Sequence, residues 1–494
     1  MNKQIRRLAA GLIVCYVILF VQLNVLQVGR QREISQNTLN TRATAIDFNR
    51  SRGQIISADG VVLAESAPSA DTKFTYQRVY PTGALMADIT GYYTYAFGST
   101  QLERTQNDVL AGRTQQQQLR GLLTMFTDSD TSGDVVTTVD ARLQQEAKDA
   151  LGDRVGSVVV LDVATGAVKA MWSYPSYDPN TVVVHDADAA RAALDALNAD
   201  PEKPLLANAY QERYMPGSTF KILTTAIALQ HDPPALTLDS TFPNETEWTP
   251  PLTTDPIANY HGELCGGDLV EVFRRSCNIP FAQTALNVGA EGMVEGTNAF
   301  GVGEKLPIDL PRAASSFFGD VQDFERNDPI LAMRGFGQNE VQMVPLHMAM
   351  VAASVANGGV MMKPYVVDHT VAHDGATLST TEPEVWKTPM TPETAFILNA
   401  LMQEVVRTGT ASCCMQLDNG IQAAAKTGTA QLNDTGQPER SNAWITAFAP
   451  VDHPKYAIAV MLKGTDADIS ASTGGRLAGP VAKQVLDFAF ANGI

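Results

Sequence analysis

The stretch Met215-Pro-Gly-Ser-Thr-Phe-Lys221 contains Ser218, the only serine of the chain that is followed by a lysine three residues later. The Pro-Gly pair before a helix-forming run predicts that a helix begins at Ser218. The spacing i, i+3 then brings the Ser218 hydroxyl and the Lys221 amine to one face of that helix. A serine needs a neighbouring base to act as a nucleophile, and a lysine with a lowered pKa can supply one. Taken alone, the same pattern also fits a helix-capping serine beside an exposed lysine.

Two further motifs favour a catalytic site over that simpler interpretation. Ser276-Cys-Asn278 offers a hydroxyl that can relay a proton and an amide that can hold a substrate. Lys426-Thr-Gly428 lies in a strand-like run that continues to Thr429, and an edge strand can pair with an extended peptide and bind the carboxylate at its end. A second Ser-x-Asn match, Ser35–Asn37, lies beside the apolar N-terminus and is set aside.

Strand patterns lie on both sides of a long helical stretch. Gly166 separates two apolar runs in a predicted hairpin. Asp140 is the predicted N-cap of the helix that begins at the next residue. The predicted helices are 141–151, 189–197, 218–229, 269–286, 347–357, 393–408 and 480–490, and the predicted strands are 135–139, 157–162, 167–172, 423–429, 443–449 and 456–463. One sheet with strands from both ends and helices inserted between them is an α+β layered domain.

The composition of the chain is that of a globular protein and excludes several other classes. The 494 residues are enough for two or three domains, and an apolar content of 45% is typical of a globular protein with packed cores. The net charge of −17 argues against a nucleic-acid partner, because phosphate contacts need clustered positive charge. Five cysteines are too few for a disulfide scaffold, and the seven histidines show no metal-ligand spacing, so we predict no metal site.

The N-terminus predicts a membrane anchor. Three basic residues precede an uncharged apolar segment, residues 8–28, and about 20 helical residues are enough to cross a hydrocarbon core of about 30 Å. No Ala-x-Ala cleavage site follows this segment. The positive-inside rule places residues 1–7 in the cytoplasm and the rest of the chain outside the plasma membrane. The alternative is a buried core helix.

The three motifs resemble those of the penicillin-binding proteins and class A β-lactamases, in the same order. Arg52-Gly-Gln-Ile, Gly335-Phe-Gly-Gln338 and Gly409-Thr-Ala411 match further stretches of that family, so that the similarity covers about residues 50–490. Among its members the chain most closely resembles the monofunctional class B proteins of the short penicillin-binding protein A type, which also have a cysteine inside Ser-x-Asn.

The resemblance implies a fold and a domain order. The fold is α+β, of the transpeptidase and β-lactamase type, with helices flanking an antiparallel sheet and a further all-helical subdomain. Residues 141–494 would form the penicillin-binding transpeptidase domain. Residues 29–140 would form a smaller, elongated pedestal or dimerisation-like domain that follows one transmembrane helix, 8–28, and a cytoplasmic tail, 1–7.

The resemblance also implies a D,D-transpeptidase that cross-links peptidoglycan stem peptides ending in D-Ala-D-Ala during growth or division, and that β-lactams acylate. Ser218 would be the nucleophile, Lys221 its base and Ser276 a proton relay, while Asn278 would hold a substrate amide. No metal or organic cofactor is needed. Proteins of a division or elongation complex are candidate partners of residues 30–140.

The predicted strand completes the implied site. Lys426, Thr427 and Thr429, with Gly428 between them, would bind the terminal carboxylate of the peptide. The backbone N–H groups of Ser218 and Thr429 would form the oxyanion hole.

Four cysteines lie beyond the apolar segment. A disulfide between Cys265 and Cys277 is the favoured hypothesis, because an oxidising exterior permits it and it would brace the loop that carries Ser276. We expect the adjacent Cys413 and Cys414 to be free thiols, or one of them to be paired elsewhere.

Two other functions use the same residues. In a D,D-carboxypeptidase or β-lactamase, water would resolve the acyl-enzyme. In a β-lactam or muropeptide sensor, or a division-complex scaffold, the site would bind without turnover. The long segment before the catalytic domain favours the transpeptidase, and a cytoplasmic tail of seven residues disfavours a sensor.

Overall fold

The computed structural model of the protein describes residues 2–24, 48–70, 74–123, 131–432, 440–464 and 473–494. The Ser35–Asn37 motif and residues 25–28 of the predicted membrane span lie outside these ranges, as do residues 29–47, 71–73 and 124–130 of the predicted pedestal.

Nineteen strands and fourteen α-helices lie in the described parts of the chain. The strands are β1 (Ile55–Ile56), β2 (Val62–Pro68), β3 (Tyr76–Val79), β4 (Tyr93–Thr94), β5 (Gly98–Ser99), β6 (Gly133–Thr137), β7 (Gly156–Asp162), β8 (Val168–Tyr174), β9 (Thr241–Glu245), β10 (Glu247–Trp248), β11 (Ile257–Ala258), β12 (Cys265–Asp268), β13 (Met361–Met362), β14 (Val367–Ala372), β15 (Thr377–Thr380), β16 (Val385–Lys387), β17 (Ala424–Gln431), β18 (Ser441–Ala449) and β19 (Tyr456–Leu462). The helices are α1 (Asn2–Asn24), α2 (Ala87–Thr90), α3 (Gln101–Thr105), α4 (Asn107–Leu110), α5 (Gln115–Leu123), α6 (Ala141–Leu151), α7 (Ala187–Ala199), α8 (Lys221–Gln230), α9 (Leu269–Arg275), α10 (Ile279–Ala299), α11 (Asp328–Arg334), α12 (Pro345–Ala356), α13 (Pro392–Arg407) and α14 (Gly474–Ala491).

A five-stranded antiparallel sheet forms the centre of the catalytic region, in the order β17-β18-β19-β7-β8. Every residue of β18 and β19 is buried, so both faces of the sheet are covered. Helix α12 packs on β19 and β7, while α14 packs on β18 and against α6. Strands from both ends of the region thus meet in one sheet, which confirms the predicted α+β fold.

The hairpin at the start of this sheet forms as its sequence predicts. Gly166 has a φ of +80°, a conformation that L side chains rarely adopt, and it lets β7 return as β8. The Asp140 side chain accepts hydrogen bonds from the N–H groups of Arg142 and Leu143 and so caps α6, which begins at the next residue.

A second sheet joins the N-terminal region to the middle of the chain. Its order is β15-β14-β6-β1-β2-β3, so two strands from beyond residue 360 pair with four from before residue 140. Strand β14 pairs with β6 over five registered positions, from Val367 opposite Thr137 to Ala372 opposite Gly133. A domain border drawn at residue 140 therefore passes through a continuous hydrogen-bonded sheet.

The structure divides one predicted helix into two. The apolar spacing of residues 269–286 continues throughout and predicts a single helix. Helix α9 instead ends at Arg275, and Ser276 takes a left-handed conformation with a φ of 64°. A new helix, α10, begins at Ile279, with Pro280 in its first turn.

The cysteines form two pairs. Cys265 and Cys277 are joined by a disulfide with their Cα atoms 5.8 Å apart, which connects β12 to the loop that follows α9. Cys413 and Cys414 are also bonded to each other, so the expectation of free thiols or of a distant partner is wrong for this pair. Cys414 is buried against α14, where a Cβ on Gly479 would lie 2.8 Å from the Cys414 Cβ.

Helix α1 matches the apolar N-terminal segment. Within Lys3–Leu23, a window of 18 residues has a mean hydropathy of 1.8, and the whole stretch is exposed. It is therefore long and apolar enough to span a membrane.

Candidate active site

Ser218 lies in a short 3₁₀ turn, Gly217–Phe220, that leads directly into α8. Gly217 has a φ of +53°, and a Cβ at this position would lie 2.6 Å from Thr429 O. Only glycine therefore lets the turn lie so close to β17. Ser218 remains partly exposed, whereas its neighbours Thr219 and Phe220 are buried. The turn thus presents one reachable hydroxyl at the edge of the sheet.

The side chain of Lys221 extends from the first residue of α8 to the loop between α9 and α10. It is fully buried, and its Nζ donates to Ser276 O at 2.7 Å, to Cys277 O at 2.7 Å and to Asn278 Oδ1 at 2.9 Å. All three acceptors are neutral oxygens. They hold the amine in place with less stabilisation of its positive charge than a carboxylate would give.

Ser276 lies between two lysines. Its Oγ accepts a hydrogen bond from Lys426 Nζ at 2.7 Å and lies 3.4 Å from Lys221 Nζ. The left-handed conformation at Ser276, which ends α9, places this hydroxyl in the interior of the cleft. A proton can therefore pass between either amine and this hydroxyl without a further group.

Burial shifts the pKa of both lysines downwards. It holds the pKa of Lys221 well below its usual value of 10.5, and the charge of nearby Lys426 lowers it further. Burial also lowers the pKa of Lys426, to about 7. At neutral pH a neutral amine is therefore available as a base in this cleft.

Asn278 is oriented by a residue that no sequence motif indicates. Buried Asn259 accepts the backbone N–H of Asn278 at 2.8 Å and that of Ile279 at 3.2 Å, and so caps α10 from outside the helix. The Asn278 amide donates to Ala258 O at 3.2 Å and accepts from Lys221. Both ends of this amide are thereby fixed.

Strand β17 carries the third motif. Lys426 and Thr427 are buried, and Gly428 faces the nucleophile turn, where a Cβ would lie 2.5 Å from Pro216 O. Thr429 Oγ1 accepts the N–H of Gly474 at 3.2 Å. Strand β17 is the outermost strand of its sheet in the described parts of the chain, so a peptide could add to its outer side.

Hydrogen bonds join four of the predicted catalytic residues, Lys221, Ser276, Asn278 and Lys426, in one cleft. The turn that carries Ser218 leads into Lys221 and packs on β17 at Gly428 and Thr429, next to Thr427. Among the described residues, no hydrogen bond joins the Ser218 hydroxyl to either lysine or to Ser276. The hydroxyl of Thr410, which was not singled out, lies 2.6 Å from Thr427 Oγ1. It belongs to the Gly409-Thr-Ala411 stretch, whose match was the only signal in the sequence. In the described residues, no group of three or more His, Cys, Asp or Glu side chains is arranged to hold a metal ion.

Comparison with known proteins gives the same fold. The family model of the penicillin-binding protein transpeptidase domain matches residues 156–487, and that of the penicillin-binding protein A dimerisation domain matches residues 52–136. The peptidoglycan D,D-transpeptidase PbpA of Mycolicibacterium smegmatis is 37% identical over 100% of both chains. PbpA of Mycobacterium tuberculosis H37Rv is 34% identical over 99% of both chains. A solved structure of penicillin-binding protein A from M. tuberculosis, a ceftriaxone acyl-enzyme complex, matches with a TM-score of 0.82 at 34% identity, over 90% of this chain and 99% of that one.

Proposed function

The chain belongs to the penicillin-binding protein transpeptidases, and we propose that its three motifs carry out the reaction of that family through Ser218. The protein is a serine D,D-transpeptidase of peptidoglycan synthesis that β-lactams inhibit by forming an acyl-enzyme. The observation that carries the assignment to these residues is the convergence of Lys221 Nζ and Lys426 Nζ on one hydroxyl, Ser276 Oγ, beside the turn that presents Ser218.

In the first half of the reaction, Ser218 Oγ attacks the carbonyl of the penultimate D-Ala. The Ser218 proton passes to the neutral amine of Lys221, which its lowered pKa makes available. The bond to the terminal D-Ala breaks, and its nitrogen takes a proton through Ser276. The products are an ester on Ser218 and free D-Ala.

In the second half, an amine of a neighbouring stem peptide attacks the ester. The amine loses its proton through the same chain of groups, and Ser218 Oγ leaves with a proton to regenerate the hydroxyl. A D,D-carboxypeptidase or β-lactamase would use water at this step instead.

Two sets of contacts support the placement of the substrate. Gly217 lies so close to Thr429 that the N–H groups of Ser218 and Thr429 would together bind an oxyanion beside the nucleophile. Substrate pairing with β17 would direct its terminal carboxylate towards Lys426, Thr427 and Thr429. Asn278 would hold an amide of the donor peptide.

For the rest of the chain we propose that α1 anchors the protein in the plasma membrane with residues 1–7 in the cytoplasm. Lys3, Arg6 and Arg7 precede the apolar residues, as the positive-inside rule requires. Residues 29–140 would form the pedestal that holds residues 141–494 away from the membrane and binds division or elongation proteins. A protease added to intact spheroplasts would then cleave the chain beyond residue 28 and leave the N-terminus protected.

The assignment of the nucleophile is tested by mass spectrometry of the full-length protein in detergent after incubation with benzylpenicillin. We expect a long-lived adduct on the peptide that contains Ser218. It should be absent in Ser218→Ala and unchanged in Ser379→Ala, a control at an exposed serine of β15. An adduct on another residue would refute the assignment, and rapid hydrolysis of the drug would favour the hydrolase.

A further inference from the structure

The turn at Gly409-Thr-Ala411 connects two of the three motif-bearing elements. The backbone N–H of Thr410 donates to Arg274 O at 3.2 Å, two residues before Ser276. The side chain of Thr410 reaches the opposite element, where its Oγ1 lies 2.6 Å from Thr427 Oγ1 on β17. One residue therefore contacts both the helix that ends at the proton relay and the strand of the carboxylate site.

We propose that Thr410 is a positioning residue of the enzyme: its hydroxyl donates to Thr427 Oγ1, so that the Thr427 hydroxyl proton is directed at the substrate's terminal carboxylate. Thr410 acts through Thr427 and does not itself bind the carboxylate. The inference rests on the proposed function, because it assigns a substrate with a free carboxylate to the same cleft.

The direction of the hydrogen bond follows from what a bound carboxylate requires. An ionised carboxylate only accepts hydrogen bonds, so Thr427 has to give it the single proton of its hydroxyl. The lone pairs of Thr427 Oγ1 then remain for the proton of Thr410. A chain of two hydroxyls that ends on a negative charge is polarised along its length, and this strengthens the bond to the carboxylate.

Close contacts hold the turn in the position that the hydroxyl pair needs. A Cβ on Gly409 would lie 2.4 Å from Arg274 O, and a Cβ on Gly475 would lie 2.3 Å from Thr410 O. The Arg274 side chain also donates to Thr408 O at 3.0 Å. The backbone that presents the Thr410 hydroxyl is therefore packed between α9 and α14.

Burial differs between the two hydroxyl-bearing residues. Thr427 is only 6% exposed, whereas Thr410 is exposed. A buried hydroxyl has few hydrogen-bond partners, so the groups beside it determine the direction of its proton. Thr410 is one of those groups for Thr427. Replacing Thr410 by valine keeps the shape of the side chain and removes that neighbour.

The test compares full-length Thr410→Val with Thr408→Val, an exposed threonine two residues earlier. The measurement is the second-order rate constant of acylation, once with benzylpenicillin and once with its methyl ester, in which the carboxylate is blocked. We expect Thr410→Val to slow acylation by the acid by about threefold to tenfold, the effect of one hydrogen bond, and to leave the rate with the ester unchanged. Thr410→Ser should restore the rate, and Thr408→Val should behave as wild type.

A second substitution separates the positioning role from the alternatives. If Thr410 acts through Thr427, adding Thr410→Val to Thr427→Val causes no further loss. Additive losses would mean that Thr410 binds the carboxylate itself, and equal losses with acid and ester would mean a structural role; either result overturns the proposal. So does a wild-type rate in Thr410→Val. If the wild-type protein is not acylated on Ser218 at all, the proposed function fails as well.

Discussion

Lys221 and Lys426 are two buried amines that share one hydroxyl, Ser276 Oγ. The oxygens that accept from Lys221 are neutral, so their hydrogen bonds stabilise its positive charge by less than burial destabilises it. The pKa of Lys221 is therefore lower than that of an exposed lysine.

The rate of acylation by benzylpenicillin should therefore rise with pH and level off well below pH 10.5. The neutral amine is the form that accepts the Ser218 proton, and a lowered pKa makes that form available at lower pH. Acylation rates from pH 5 to pH 9 measure this. Lys221→Arg should lower the rate by about 10²-fold to 10⁴-fold throughout, because a guanidinium does not lose its proton.

Lys203→Arg is the matched control, since Lys203 is exposed. Its pH profile should coincide with that of the wild type. An active Lys221→Arg enzyme with a normal profile would show that another group is the base.

Sequence motifs identify functional residues that lie within a few positions of one another. Ser218 and Lys221 are three residues apart, and Ser276 and Asn278 are two apart, so each pair forms a recognisable pattern. Asn259 and Thr410 have no such local partner: their contacts with Asn278 and Thr427 span 19 and 17 residues. These contacts arise only when the chain folds, so composition and spacing give no signal for them.

At the level of elements, the break between α9 and α10 places the motif Ser276-Cys-Asn278 in a loop between two helices. The apolar spacing of residues 269–286 continues across it, which is why the sequence predicts one helix. A left-handed serine is not a recognisable helix stop, unlike glycine, and the residue that caps α10, Asn259, comes from a loop before β12. The elements of the central sheet, by contrast, depend on local patterns and form as predicted.

Asn259→Ala should weaken the start of α10. It leaves the N–H groups of Asn278 and Ile279 without their acceptor, so we expect the free energy of unfolding to fall by about 1–2 kcal/mol. Acylation should slow severalfold, because the Asn278 amide that contacts Lys221 is displaced. Denaturant titration and the acylation rate measure the two effects.

The control for this variant is Asn244→Ala, an exposed asparagine in β9. It should change neither quantity. If Asn259→Ala equally changes neither, the loop before β12 does not hold the second motif.

At the level of the whole molecule, the six-stranded sheet connects regions that the sequence separates. Strand β14 pairs with β6, and Thr138 adds a backbone bond to Val366 O and a side-chain bond to Val168 O, both at 2.7 Å. The sequence predicts β6 but not its pairing with β14, because two strands more than 200 residues apart share no local pattern.

A chain that begins at Ala141 should therefore be unstable. It would expose the edge of β14 that β6 covers, and an unpaired edge of this kind promotes aggregation. We expect its melting temperature to be lower by roughly 10 °C than that of a chain beginning at Phe48, with soluble aggregates in size-exclusion chromatography. If both chains are monomeric and equally stable, the shared sheet contributes little.

The sheet shared by β6 and β14 also limits how genes of this family can recombine. A crossover near residue 140 would import strands β1, β2, β3 and β6 from one parent while β14 and β15 came from the other. Side chains that neighbour each other across the β6–β14 pair would then come from different parents. Viable hybrids should be those that inherit residues 48–137 and 367–380 from the same parent.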